Sequence, residues 1–562
     1  MNSQKETWYE VATVAGSCLF LLYFGAAAIG LVGADEPRYA QIAREMLERG
    51  DWVTPTLYGH HWFEKPILYY WSAMVSYKIF GVSDWAARLP AATFAMGAVF
   101  AVWAFLRRFV PGARLDGALM TAGSVALIGF GRGAGPDMLL AACFTVAMLS
   151  WMAWYLESHP LLAEGALAKD GAPARVPGKR WLLAFYFFSA LGMLAKGPVA
   201  PALAGAVVVL YALLRREPRT ILRTLWLPGI ALFLAVALPW YVLVQVRNAE
   251  FFRVFVLEHN VARFATNLYR HKQPFWYYAP VLLAGTLPWT FYWLAGMWDG
   301  VRNWRGRAGE SPAPTPPMVE IRQFLVAWIV FVAVFFSISQ SKLPGYILPA
   351  LPACTMLTAL YVQRKAGERA NFTLLALHAA VPAALTAGVL LVPYALVRSA
   401  NAPRATAGVL AALVFIGVSG TLWRRGLRML RFVTLAPLMV LLAFLLRGAG
   451  PAVDAKTSYR EVAAALDRID NRSSQVAIYK LPRQAGYGLS YYRGKPVLWY
   501  DPNYFDQPRG IPEGNHMVVA PLGVEDSLAN LTGKRVSKVG EFAPQKLAFY
   551  WVSAQSTVHG PQ

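Results

Sequence analysis

Two acids stand side by side, Asp35 and Glu36 in GADEPRYAQIAREM, where a long apolar run ends and an amphipathic stretch begins. Glu64 in HHWFEKP and Asp137 in GRGAGPDMLL lie in comparable settings. A carboxylate next to a proline can simply mark a helix start and favour its positive end. Several carboxylates gathered at the mouth of a bundle can also orient an acceptor, take up a proton or balance a positive substrate. Cations accompany them: Arg38, Lys65, Arg132, Lys196 in LAKGPVAP, Arg253, Arg263, Arg270, Lys272, and Lys342 in SKLPGY. Arginine offers phosphate oxygens a planar fork and lysine a point charge, so an anionic ligand is the simplest reason for the set. His60, His61, Glu64, His259 and His271 would form a zinc or other divalent site if their loops converged, with Glu64 and His259 as candidate ligands, although the spacing matches no strong metal motif.

The elements that must position these groups are membrane helices. The chain has 562 residues, 57% hydrophobic and 14% aromatic against 15% charged, which is not a soluble enzyme's balance. A bilayer core asks for about 20 apolar residues per helix, and about 13 runs approach that length. They lie near 11–33, 87–106, 116–130, 137–156, 181–195, 198–214, 224–244, 276–298, 323–340, 345–363, 373–397, 405–423 and 429–447. The net charge of +22 does not imply nucleic acid, because its arginines and lysines cluster after runs two, six, ten and twelve. Basic short connections mark the cytoplasmic side. The N-terminus is therefore expected inside, and connections such as 34–86 and 245–275 outside, where the acids and their companion cations collect. Cys18, Cys143 and Cys354 all fall in apolar runs and read as buried small hydrophobes.

PRYAQIAREMLERG has helical spacing closed by Gly50 and is expected to lie on the membrane surface. After 447 the pattern changes to short strands, QVAIYKL, KPVLWY, HMVVAP and LAFYWV, preceded by helical SYREVAAALDRI. The expected division is a membrane domain over 1–447 and a small soluble α/β domain over 448–562.

The blocks DEPRYAQIAREMLERGDWVTP, FEKPILYYW, RLPAA, PDMLL, LAKGPVAP, PWY and SKLPGYILPALP, in that order, resemble the bacterial 4-amino-4-deoxy-L-arabinose transferases that modify lipid A, relatives of the protein O-mannosyltransferases. The resemblance covers nearly the whole membrane part and little of the C-terminal part. It implies a polytopic C-type glycosyltransferase fold with about 13 membrane helices, acting at the periplasmic face of the bacterial inner membrane. The implied donor is undecaprenyl phosphate-linked aminoarabinose and the implied acceptor a phosphate of lipid A. Asp35 would be the principal acid, with Asp137 and Glu36 as further acids. Lys65, Arg263, Arg270 and Arg38 would hold the carrier phosphate, and Lys196, Lys342 and Tyr346 would line the substrate site. No cofactor is required if these cations neutralise the leaving phosphate, which makes the divalent metal dispensable.

Two other functions compete. A lipid-carrier flippase would also have many spans, but transport sites place ionisable groups near the bilayer midplane, whereas these runs have nearly uncharged centres. Protein O-mannosylation shares the paired acids after the first run and differs in its acceptor.

Overall fold

The computed structural model describes residues 3–159, 178–262, 273–304, 316–368, 371–396, 403–470, 473–500 and 510–553. Helices occupy at least part of each of the 13 apolar runs, and eight described helices are long and apolar enough to cross a bilayer, among them Asp84–Phe109, Asp137–Ser158, Leu227–Arg247 and Leu427–Thr457. The other five runs lie in shorter or interrupted helices. Ser3–Cys18 passes into a π turn, Leu19–Tyr23; Arg114–Ala122 is broken before Val125–Gly131; Arg180–Lys196 and Val199–Leu214 are short; and Tyr278–Gly285 is separated from Thr290–Arg302. The last break contains Pro288, which cannot donate to a helical carbonyl. The chain is a multi-pass membrane protein with a mixed β-sheet domain at its C-terminal end.

At the end of the bundle where the basic connections lie, many cations are already matched by acids. Arg108 meets Glu157 at 2.6 Å, Arg114 meets Glu10 at 2.7 Å, Arg215 meets Glu320 at 2.6 Å and Arg431 meets Asp116 at 2.7 Å.

At the opposite end runs the Asp35–Arg49 helix, closed by Gly50 at φ 67°, a left-handed conformation that costs glycine little. It is largely buried within the protein, wedged between the Leu68–Phe80 helix and the Arg483–Arg493 helix of the C-terminal domain. Its amphipathic pattern serves two packed faces. From its second half, Glu45 accepts the Thr56 hydroxyl at 2.9 Å and the Tyr58 N–H at 2.8 Å, holding the hairpin of β1 (Thr56–Leu57) and β2 (His60–His61) against it.

The last membrane helix continues to Thr457 before the C-terminal domain begins with the Arg460–Asp470 helix. Its sheet comprises β3 (Val476–Ile478), β4 (Leu498–Trp499), β5 (His516–Pro521), β6 (Arg535–Phe542) and β7 (Leu547–Ser553), ordered β4-β3-β5-β7-β6. β3 pairs parallel with β4 and β5, while β5–β7 and β7–β6 are antiparallel. The central strands bury both faces and so read as unbroken apolar runs; the edge strand β6 is mostly exposed.

A polar seam joins this domain to the loop before Asp35. Asp454 accepts the Gly30 N–H at 2.7 Å, and the Tyr492 hydroxyl accepts the Leu31 N–H at 2.6 Å while donating to Asp84 at 3.0 Å. Arg460 meets both Asp454, at 2.5 Å, and Asp84, at 3.1 Å. A Cβ on Gly30 would lie 2.6 Å from the Tyr492 hydroxyl and 2.7 Å from that of Ser458, so the seam closes only over a glycine.

Candidate active site

Asp35 opens its helix where the positive helix end favours a carboxylate, and its side chain is 59% exposed. Arg38, one turn on and only 4% exposed, donates to Asp35 at 2.7 Å and to Glu64 at 3.0 Å. Its guanidinium lies 5.1 Å from the Tyr39 ring centre, 5.3 Å from that of Trp62 and 5.8 Å from that of Tyr487. Burial alone would lower its pKa, but Glu64, Tyr39 and Asp35 outweigh burial and raise it well above the ordinary arginine value. Lys65 donates to Glu64 at 3.0 Å. Asp35, Arg38, Glu64 and Lys65 thus form one network in which the acid at the edge stays open to solvent. Arg38, expected as a carrier-phosphate ligand, is buried beneath aromatic rings and serves to fix Asp35 and Glu64.

Glu36, expected as a further acid beside Asp35, is instead a clamp. Arg88 grips both its oxygens, at 3.1 and 2.7 Å, and the same carboxylate accepts the backbone N–H groups of Val32 at 2.8 Å and Ala134 at 2.7 Å. Arg88 also donates to the carbonyls of Ala26, Ile29 and Gly30 at 2.6–2.8 Å. The pair ties together the loop before Asp35, the second run and the loop before Asp137. Neighbouring acids therefore have different work: Asp35 faces solvent and Glu36 faces the fold. The signal for Arg88 was present in the sequence, since a lone arginine in the first turns of an apolar helix needs an internal partner.

The second cluster stands across the 131–137 loop, whose Gly135 approaches the Tyr39 ring. Asp137 pairs with Lys196, and the Lys196 ammonium lies 4.3 Å from the centre of the Tyr346 ring, a cation–π contact. Gly345 has to be a glycine here, because a Cβ would lie 2.5 Å from an Asp137 oxygen and 2.9 Å from Phe130. Lys342 is buried and donates to the Ser339 carbonyl at 2.5 Å, and Tyr278 donates to the adjacent Leu343 carbonyl at 3.2 Å. Asp137, Lys196 and Tyr346 come from three separate stretches of the sequence and meet here, with Lys342 four residues before Tyr346 in the chain.

Among the described residues no group of three His, Cys, Asp or Glu side chains gathers as a metal site. Glu64 is engaged by two cations, a setting that disfavours adding a third positive charge. The side chain of His259, and Arg263 and Arg270 entirely, lie outside the described residues. His61 pairs with Glu250 at 2.7 Å, linking β2 to the 245–262 segment. Residues the sequence did not single out also shape the site: Tyr487 of the C-terminal domain stacks on Tyr58 at 6.4 Å and faces Arg38.

Residues 21–255 match the family model described as dolichyl-phosphate-mannose-protein mannosyltransferase. The undecaprenyl phosphate-α-4-amino-4-deoxy-L-arabinose arabinosyl transferase of Edwardsiella ictaluri is 31% identical over 365 residues, 64% of this chain and 60% of that protein. Its counterpart in Aeromonas salmonicida is 32% identical over 335 residues, 58% of this chain and 55% of that protein. The match thus spans less than two thirds of these curated relatives. The crystal structure of ArnT from Cupriavidus metallidurans bound to undecaprenyl phosphate superposes with a TM-score of 0.74 at 23% identity, over 98% of this chain and 99% of that one. The apo form of the same protein gives 0.73 at 22% identity over the whole of both chains. In sequence the chain resembles the aminoarabinose transferases and, through residues 21–255, the related mannosyltransferases, and from end to end it has the C-type glycosyltransferase fold of ArnT.

Proposed function

We propose that the chain is a lipid-linked-sugar glycosyltransferase that takes 4-amino-4-deoxy-L-arabinose from undecaprenyl phosphate and places it on a phosphate of lipid A. The observation that carries the proposal is the exposed Asp35 carboxylate, held by a buried arginine beside Lys65 where the first span ends, in a chain similar to enzymes of that specificity. An oxygen of the acceptor phosphate attacks the anomeric carbon. The bond from that carbon to the carrier phosphate breaks, and undecaprenyl phosphate departs with the electron pair. Fixed cations lower the barrier by meeting the charge that develops on the leaving group; Lys65 is the described candidate and Arg263 or Arg270 its companion. The acceptor phosphate is already an anion, so Asp35 orients acceptor and sugar without having to remove a tightly held proton. Asp137, partly exposed beside Lys196 and Tyr346, suits the sugar's ammonium, a role Glu36 cannot share while Arg88 holds it.

In this reading the acids face the periplasm from the bacterial inner membrane, the N-terminus is cytoplasmic, and the basic connections sit on the cytoplasmic side. Adding an amino sugar lowers the negative charge of lipid A and confers resistance to polymyxin and other cationic peptides. The test is transfer from purified donor to lipid A by the native protein and by Asp35→Asn at matched expression. Transfer lost only in the variant supports the reading; no transfer by the native protein with intact substrates refutes it. The match of residues 21–255 to the mannosyltransferase model favours a second reading, protein O-mannosylation, which transfer to a peptide acceptor without lipid A would establish.

A further inference from the structure

The two networks described above account for most of the charge at this end of the bundle, but not for Arg132 and Arg447. Arg132, half-buried in the loop before Asp137, donates to the Leu21 carbonyl at 3.1 Å. No described carboxylate pairs with it, and burial together with the neighbouring Arg88 pushes its pKa down to about 10. Arg447, exposed on the last membrane helix, places its guanidinium 5.4 Å from the Phe24 ring centre, also with no described carboxylate partner. Leu21 and Phe24 are three residues apart, so both arginines address one turn of the first span.

That turn is itself unusual. Leu19–Tyr23 is a π turn, and Arg447 sits in a second one, Leu445–Ala449. Leu446 of the second packs on Gly25, two residues past the first, where a Cβ would lie 3.1 Å from its methyl. Single π turns inside α-helices recur at functional sites, and here two lie near two cations that have no carboxylate partner among the described residues. A partly desolvated arginine with no acid is costly unless an anion arrives to pair with it. Its fork suits phosphate oxygens, and a location flanked by membrane helices suits a phosphate carried on a lipid.

We propose that Arg132 and Arg447, both beside the π turn of the first span, form a binding site for the phosphomonoester of an acylated glycolipid, separate from the Lys65 cluster that meets the polyprenyl carrier's phosphate. This rests on the transferase reading to the extent that the ligand is the acceptor, since the Glu36–Arg88 clamp ties the loop bearing Arg132 to the start of the Asp35 helix. The donor's phosphate would then meet Lys65 while the acceptor lipid is anchored from the other side of that clamp.

The test is binding to the purified full-length protein in lipid nanodiscs, using monophosphorylated lipid A, phosphatidylglycerol and undecaprenyl phosphate as separate probes. Because binding needs no sugar transfer, its outcome is independent of whether the transferase reading survives. The Arg132→Gln/Arg447→Gln double variant should weaken monophosphorylated lipid A by about tenfold or more, from the loss of charge-assisted bonds, while undecaprenyl phosphate binds as before. Unchanged lipid A affinity overturns the site. Equal affinity for phosphatidylglycerol, lost equally in the variant, shows an unselective contact with bilayer lipid and overturns the phosphomonoester assignment. Should the double variant lose undecaprenyl phosphate as well, Arg132→Lys/Arg447→Lys keeps the charges without the forks. It should then bind undecaprenyl phosphate normally and lipid A more weakly, and native affinity for lipid A in that variant refutes the proposal.

Discussion

Adjacent acids with separate work can be pulled apart by two conservative substitutions, Glu36→Gln and Asp35→Asn. The Glu36 side chain is 12% exposed and its partner Arg88 7%, so the pair is screened little by water. Glutamine keeps one acceptor oxygen but turns an N–H group toward the guanidinium, leaving the Arg88 charge without its counter-ion. Breaking a buried pair from one side costs about 3–5 kcal/mol, a large part of the stability of any domain. Asp35 is 59% exposed and pairs with Arg38, and water discounts that contact to about 1 kcal/mol or less. Its replacement by asparagine should leave stability nearly untouched while cutting turnover by about 10²- to 10⁴-fold, the range for a positioned polar group acting in the transition state. The assay is paired: the fraction of protein surviving a heating series by size-exclusion chromatography, and sugar transfer normalised to the folded fraction. Glu36→Gln should lose its heat resistance and recover most of its activity per folded molecule; Asp35→Asn should do the reverse. A Glu36→Gln protein as heat-resistant as native but inactive would refute the division of labour.

Other consequences are open to direct test. Gly345→Ala puts a methyl where an Asp137 oxygen now lies, and should lower turnover by displacing Asp137 from Lys196 with little change in expression. Tyr487→Ala removes a fully buried ring stacked on Tyr58, at a cost of about 3–5 kcal/mol at the domain contact; hydrogen exchange should then quicken in the Arg483–Arg493 and Asp35–Arg49 helices before the sheet. His516 is buried in β5 against Tyr500, and desolvation holds its pKa below 6.5. The unfolded chain takes up the proton first, so this contribution is complete above pH 6.5 and lost as pH falls through the lower folded value. Exchange protection of β5 should therefore decline on acidification below that point, and His516→Gln should flatten the decline.

Much of the architecture is legible in the residues themselves. The Asp35–Arg49 helix and its Gly50 stop follow from spacing and glycine chemistry, all three cysteines are free and buried, and the central strands announce themselves as apolar runs. What spacing cannot convey is which partner arrives from far away. Asp35 and Glu36 differ because Arg88, 52 residues on, reaches one and not the other. The burial of Arg38 depends on Trp62 and on Tyr487, which sits in another domain, and the same domain covers part of the Asp35–Arg49 helix. The edge strand β6, RVSKVGEF, lacks an apolar run because most of it faces water. Membrane runs broken by Gly123 or Pro288 have the composition of spans, and only backbone hydrogen bonding reveals the interruption.

The seam beneath Asp35 also bears on biosynthesis. The Gly30 N–H closes on Asp454 across 424 residues, and the Leu31 N–H on Tyr492 across 461. At about 5–20 residues per second, a ribosome delivers those partners roughly 20–90 s after the loop itself. Throughout that interval Asp35 is already synthesised, but the loop leading to it has two unclosed backbone donors and Arg38 has no Tyr487 over it. Competence at this site is thus a late event in the life of the chain, and a translation arrest before the C-terminal domain would leave an inserted bundle with an unfinished mouth.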